Sequence, residues 1–381
     1  EHSEPGPESA RMIRRAVGYL VQHGPGSEQD RWEENAGVSP FSLAVQIVAL
    51  IGGAQFLQEP ESAYALSVAD YWNERIEDWT FVERGTYSDE GYYVRIGPSF
   101  EPESLKGRIP VKNRTLEPIP VVEMIGMDYL YLVRLGLRQP SDPRIRNTVK
   151  VTDKLLKAEM PTGTAFYRYN VDGYGEQTDG RPFDVTGIGR PWPLLSGERG
   201  HYGVLNGEDP LPLLRSMARM TGPGGLMPEQ VWDADPIPEL GLFLGKPTGS
   251  AMPLVWAHSE FLKLLVARQQ GRAVEMLECV ERHLKERPNA ATWHWRPGVP
   301  FGALPKNRDL LIEMPRPFTL RMGFDGWRDT ADKQAEALPF GSYGVRLPSG
   351  SLSGRRTLEF TFQFNDDGKW HGTDYQIAIR P

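Results

Sequence analysis

The hydrophobic spacing changes period once along the chain, near residue 290, and that change limits the fold more than any motif. From Arg11 to about residue 286 the apolar residues recur at helical intervals. Phe41, Ala44, Val45, Val48 and Ala49 form one stripe, and Ala65, Val68, Trp72, Ile76 and Trp79 form a second. Val122, Ile125, Tyr129 and Leu132 predict a helix ending at Gly136, and Leu254, Val255, Phe261, Leu262 and Leu265 predict one ending at Gly271. Three helix entries pair a capping side chain with proline at the first turn: Ser39-Pro40, Asp142-Pro143 and Asp209-Pro210. With Met12 to His23 and a stretch from Arg272, about seven helices are expected. Beyond residue 290 the period drops to two: Phe318, Leu320, Met322 and Phe324 alternate, as do Leu358, Phe360, Phe362 and Phe364, then Tyr375, Ile377 and Ile379. The expected organisation is a helical region over residues 1–288 followed by a small antiparallel β-sandwich over 289–381.

Two long segments, 80 to 119 and 160 to 207, are rich in Gly, Tyr, Asp and Arg and read as loops between helices. Loops of that length in a compact domain are uncommon unless they build a site. The formal net charge of −7 leaves no basic surface for nucleic acid. No apolar run approaches the roughly 18 residues needed to cross a bilayer. Cys279 is the sole cysteine, which excludes a disulfide framework and a thiolate metal site. Ten tryptophans, fourteen tyrosines and fifteen phenylalanines suit a neutral ligand with flat apolar faces, although most such rings simply fill cores.

Three constellations carry candidate chemistry. In "QDRWEENAGVSPF" the carboxylates Asp30, Glu33 and Glu34 surround Trp32 ahead of the capped helix. A carboxylate held against an indole loses water and its pKa rises, as a general acid requires. Either Glu33 or Glu34 fits that role, and so does an acidic turn beside a helix N-terminus. In "GGLMPEQVWD" Glu229 lies in a glycine-rich loop near Trp232. Between them, "DGRPFDVTGIGRPWPLLSGERGHYGVLNGEDP" clusters Arg181, Arg190 and Arg199 with Trp192, His201 and Tyr202, fork donors and flat rings suited to sugar hydroxyls. Metal and nucleotide templates such as HExxH, CxxC and the Walker loop are absent from the sequence. "NDDG" at 365–368 reads as a turn joining the last two strands and needs no calcium. "NRT" at 113–115 matches a glycosylation sequon, and His258 reads as a satisfied core residue.

Two carboxylates on distant loops, each beside tryptophan, suit glycoside hydrolysis. The segments "DRWEENAGVSPFSLAVQIVAL", "GRPWPLLSGERGHYGVLNGE", "MPEQVWD" and "GSAMPLVWAHSEFLKL" resemble, in order over roughly residues 10 to 270, the motifs of glycoside hydrolase family 15, which holds bacterial glucoamylases and glucodextranases. The resemblance implies an (α/α)6 barrel and an inverting, exo-acting hydrolysis of α-glucans that needs no cofactor. It implies that Glu33 is the general acid and Glu229 the general base. Arg31, Trp32 and Glu34 would line the first sugar subsite, Arg181 would hold hydroxyls, Trp192 would wall the cleft and Asp30 would support the acid loop. Glucosyl transfer and non-catalytic glucan binding remain the competing functions.

The chain departs from that pattern in length. A dozen helices make such a barrel, about seven are expected here, and Glu33 comes almost at the start. The expectation is therefore that the chain is the C-terminal half to two-thirds of the barrel plus the β-sandwich, with an N-terminal fragment or chain supplying the early helices. The opening "EHSEPGPES" has neither an initiator Met nor an apolar leader, and a secreted or periplasmic protein whose leader has been removed is expected.

Overall fold

A computed structural model describes residues 6–101 and 103–380; most of the opening segment on which the leader expectation rests lies outside them. Among the described residues nine α-helices precede residue 290: α1 (Pro7–His23), α2 (Pro40–Ala54), α3 (Glu61–Thr80), α4 (Leu130–Arg134), α5 (Pro143–Leu156), α6 (Pro193–Leu205), α7 (Leu211–Arg219), α8 (Val255–Gln270) and α9 (Glu278–Glu286). The capping signals act as their chemistry requires. Ser39 accepts from the Phe41 N–H at the start of α2, and Asp142 accepts from the Arg144 N–H at the start of α5. Asp209 accepts from the Leu211 N–H, and Pro210 itself sits just outside α7. Gly271 ends α8 in the left-handed region at φ 68°, a conformation that costs glycine nothing.

Two expectations need correction. The helix predicted over 122–136 is only five residues long, because a 3-10 turn at Val121–Glu123 and an extended Met124 carry the chain to α4. The segment 160–207 is not all loop, since α6 occupies Pro193–Leu205 near its end. Its glycines hid it from pattern reading, and packing explains them. A Cβ at Gly197 would lie 2.5 Å from the Glu260 side chain, and one at Gly200 2.6 Å from Leu264, so both glycines let α6 lie directly against α8.

Helices α1, α2, α4, α6 and α8 pack side by side in that order, while α3, α7 and α9 lean against members of the row. Both ends of the row carry exposed apolar side chains. On α1 these are Met12 and Tyr19, seven residues apart; on α8 they are Val255, Leu262 and Val266, with Val255 75% and Leu262 61% exposed. Three short hairpins decorate the row: β1–β2 (Phe81–Val82 with Tyr92–Tyr93), β3–β4 (Arg108–Ile109 with Ile119–Pro120) and β5–β6 (Lys157–Met160 with Gly163–Phe166).

The change to period two marks the strands. These are β7 (Thr292–Trp295), β8 (Ala303–Pro305), β9 (Asp309–Met314), β10 (Phe318–Phe324), β11 (Arg328–Gln334), β12 (Glu336–Ala337), β13 (Tyr343–Leu347), β14 (Thr357–Phe364) and β15 (Tyr375–Arg380), with a short helix α10 (Ser349–Leu352) before β14. They form two sheets, ordered β11-β10-β14-β15-β8 and β12-β13-β9-β7. Pairing is antiparallel except for β15 with β8 and β7 with β9, which run parallel. The sequence did not foresee those two, because parallel neighbours leave no hairpin turn to read. "NDDG" forms a turn directly after β14, but six further residues separate it from β15. Edge strand β11 is exposed throughout and charged, which discourages edge-to-edge association.

The sheets dock on α3 through a buried polar knot. Tyr64 donates to Glu313 at 2.9 Å, His294 lies 2.7 Å from the same carboxylate, and Ser67 meets the other ring nitrogen of His294 at 2.9 Å. Apolar residues of both regions belong to one continuous core.

Candidate active site

The loops that enter α2, α4, α6 and α8 meet, so the site gathers at the N-terminal ends of the inner helices. Trp32 lies 5.3 Å from Trp192, the N-cap of α6, and 5.7 Å from Trp256 at the start of α8. Arg31 pairs with Asp128, two residues before α4, and with Glu198 on α6.

Asp30 shapes the first loop. Its Oδ1 accepts from the N–H groups of Trp32 and Glu34 at 2.9 and 3.2 Å, which closes a tight turn, and its other oxygen meets Arg95 at 2.5 Å. The turn puts Glu33 at φ 59°, a left-handed conformation that few side chains adopt, and throws its carboxylate outward. Glu33 is exposed, so within this chain the Trp32 indole does not desolvate it as the sequence suggested. Lys112 donates to its backbone carbonyl at 3.0 Å. Glu34 turns inward, where Arg95, Arg168, Tyr169 and Asn113 all donate to it between 2.6 and 3.0 Å. Asn113 therefore belongs to the site, its amide donating to Glu34.

Arg31 is buried among the rings of Trp32, Phe41 and Tyr131, and its guanidinium is spent on Asp128 and Glu198. It braces the loop rather than facing the cleft. Arg181 is exposed and paired with Asp179 two residues away. Beside Arg95, the arginine inside the site is Arg168, which joins Asp172 at 2.6 and 2.7 Å to Glu34 at 2.8 Å and lies about 5 to 6 Å from the rings of Trp32, Tyr174 and Trp192. Reading the sequence missed Arg95, Arg168, Tyr169 and Tyr174. The run "FYRYNVDGYGE", with Arg168 and Asp172 four apart, was the available signal. Arg190 grips Asp233 and the carbonyls of Glu176 and Gln177, and Arg199 pairs with Asp153. Both hold loops and helices together.

Glu229 sits half-buried on the loop before α8. Its N–H donates to the Ala251 carbonyl at 2.8 Å, and the neighbouring Met227 N–H donates to His258 at 2.9 Å, so His258 anchors this loop to α8. Burial raises the Glu229 carboxyl above the ordinary carboxylate value. The Tyr174 hydroxyl and Arg168 pull it down, and Glu176 pushes it further up. In return Glu229 helps lift the Tyr174 phenol to about 12, mainly a burial effect. Trp192 is 6.3 Å from Tyr174, so ring contacts run from Trp32 through Trp192 and Tyr174 to Glu229. Glu229 Oε1 and the indole N–H groups of Trp32 and Trp192 are buried without partners among the described residues. An acceptor and two donors along one line of rings thus keep unused hydrogen-bonding capacity.

The Glycosyl hydrolases family 15 pattern matches residues 7–266, which hold both carboxylate loops and all the rings just described. The chain belongs to glycosyl hydrolase family 15. Over 273 residues it is 34% identical to a glucoamylase of Clostridium sp. (strain G0005), covering 71% of this chain and 37% of that protein. It also superposes on a bacterial glucoamylase solved in complex with acarbose, with a TM-score of 0.66 and 31% identity over 72% of this chain and 40% of the other. The chain thus spans about two-fifths of the length of these family 15 relatives. Among the described residues, no cluster of three or more His, Cys, Asp or Glu side chains has the spacing to hold a metal ion.

Proposed function

We propose that this chain carries both proton-transfer carboxylates of an exo-acting, inverting α-glucoside hydrolase that releases β-D-glucose from the non-reducing ends of α-glucans. The observation that carries the proposal is the convergence of the Trp32-Glu33-Glu34 turn and the raised, half-buried Glu229 on one line of aromatic rings. Glu33 protonates the glycosidic oxygen. Glu229 takes the proton from the attacking water, and its raised pKa suits a base working at mildly acidic pH. An inverting pair stands roughly 6.5 to 9.5 Å apart with the water between. Glu34, held by four donors, fixes the floor of the first subsite through Arg168, and Trp192 walls it. These steps are proton transfers and call for no cofactor.

The row of helices supports the finer fold as well: an (α/α)6 barrel opened between α8 and α1, carrying a β-sandwich after residue 288. We infer that an N-terminal segment or chain closes it. Exposed apolar side chains stand at both ends of the row, Met12 and Tyr19 on α1 and Val255, Leu262 and Val266 on α8, where a covering segment would bury them. Closure would also cover Glu33 and give its carboxylate the desolvation that this chain alone does not supply. Glucosyl transfer would use the same residues with water excluded.

The test is replacement. Glu33→Gln and Glu229→Gln, assayed on maltose, isomaltose, starch and dextran in the assembled enzyme, should each abolish glucose release with folding intact. Full activity in either variant would end the assignment.

A further inference from the structure

The residue just before Trp32 is tied to three helices by buried groups that take no part in the proton transfers. Arg31 donates to both oxygens of Glu198 on α6, at 2.7 and 3.1 Å, and its Nε lies 3.1 Å from Asp128 ahead of α4. The Tyr131 hydroxyl of α4 donates to the same Glu198 carboxylate at 3.2 Å. Arg134, one turn on, donates to that hydroxyl at 3.4 Å and forks onto Glu260 of α8 at 2.6 and 3.1 Å; His201 stands 3.2 Å from Glu260. A run of polar contacts thus leads from the loop of Arg31 through α4 and α6 to α8, and Glu198 and Glu260 within it are 1% and 0% exposed. Ion pairs buried this deeply add little net stability over apolar packing of the same shape. What a fork supplies is direction, since a guanidinium bonded at both tips has its plane fixed. The Arg31 guanidinium lies 4.6 Å from the centre of the Trp32 ring, and Glu33 follows at φ 59°.

We propose that Glu198 is a positioning residue for the acid turn: through the Arg31 fork it sets where the Trp32 indole and the Glu33 carboxylate stand, and the Tyr131 and Arg134 contacts hold Glu198 in turn. Glu198 is itself too buried to reach a substrate, so it acts through Arg31 alone. Its effect on turnover deepens the hydrolase reading and rests on it, whereas its hold on Trp32 is a property of this chain by itself.

The test is Glu198→Gln, which keeps the shape but replaces one of the two fork acceptors by an amide donor. In the full chain labelled with fluorotryptophan, the Trp32 fluorine resonance, assigned by its loss in Trp32→Phe, should shift. In the assembled enzyme, kcat on maltose or isomaltose should fall about tenfold or more, the scale on which misplacing a reacting group costs rate, with KM within about twofold. Burial raises the Glu198 carboxyl, against the pull of Arg31, and the neutral amide sheds that burial cost, so Tm should stay within about 2 °C. Tyr131→Phe keeps the ring against Phe41 and removes only the hydroxyl on Glu198, and it should act in the same direction more weakly. An unmoved Trp32 resonance, an unchanged kcat in Glu198→Gln, or a kcat that falls only in step with Tm in both variants overturns the proposal and leaves Glu198 a packing residue. Full activity in Glu33→Gln would instead remove the hydrolase assignment, and the Trp32 resonance alone would then decide whether Glu198 holds the turn.

Discussion

Arg168→Met isolates the residue on which the site geometry depends most. The guanidinium makes three charge-assisted bonds, two to Asp172 and one to Glu34. At roughly 1.5–3 kcal/mol each, a simple sum would exceed about 4.5 kcal/mol. The partners do not lose equally, however. Glu34 keeps Arg95, Tyr169 and Asn113, whereas Asp172, buried, keeps only the Tyr174 N–H. The dominant cost is one uncompensated buried carboxylate, about 3–5 kcal/mol. For a chain of 381 residues, with an unfolding entropy of about 0.8 kcal/mol/K, that corresponds to a fall in Tm of about 4–6 °C, read by far-UV circular dichroism. If the reasoning holds, Arg168→Met with Asp172→Asn should recover about 2–3 kcal/mol of that loss, because the stranded charge is gone. Glucan binding should stay lost in both, since the link to Glu34 is absent in both. A single variant within about 0.5 kcal/mol of wild type, or a double variant that merely adds the two costs, refutes the account of Arg168 as the bridge.

Other outcomes follow from the same contacts. Tyr174→Phe removes a hydroxyl that holds the Glu229 carboxyl down, so the acidic limb of the pH–kcat profile should move to higher pH; an unmoved limb would mean that Glu229 does not set it. Burial would raise Glu313, but His294, Arg296 and Tyr64 outweigh it and hold its pKa below the ordinary 4.5. A depressed carboxylate contributes stability that is present above its unfolded value and lost as pH falls through the folded one. Glu313→Gln should therefore cost about 1.5–3 kcal/mol at neutral pH by urea titration and progressively less below about pH 4.5; a pH-independent cost would contradict this. Gly197→Val should cost about 1–3 kcal/mol, because its side chain must displace Glu260 from the α6–α8 contact, and a neutral result would show that α6 can move aside.

Much of the fold was legible in the sequence because it rests on local signals. The capped entries at Ser39 and Asp142, the glycine stop at 271 and the change to period two each act within a few residues, and each marks a real element. Helix α6 was illegible because its glycines answer to α8, sixty residues away in sequence, and not to helix propensity. The site divides the same way. Both carboxylate loops could be found, since an acid beside an indole in a loop is a local pattern. The choice between Arg181 and Arg168 could not be made, because Arg181 turns to its neighbour Asp179 while Arg168 reaches Glu34 across 134 positions. Nor could spacing reveal that Asn113 donates to Glu34 or that Glu33 faces outward at positive φ.

The most direct measurement is proton NMR of the first product formed from maltose or isomaltose by the assembled enzyme, followed faster than glucose mutarotates. A base at Glu229 that activates water opposite the acid at Glu33 predicts β-D-glucose as the initial anomer. Initial release of α-D-glucose would mean that a carboxylate attacks the sugar itself, and the assignment of these two residues as an inverting pair would fall.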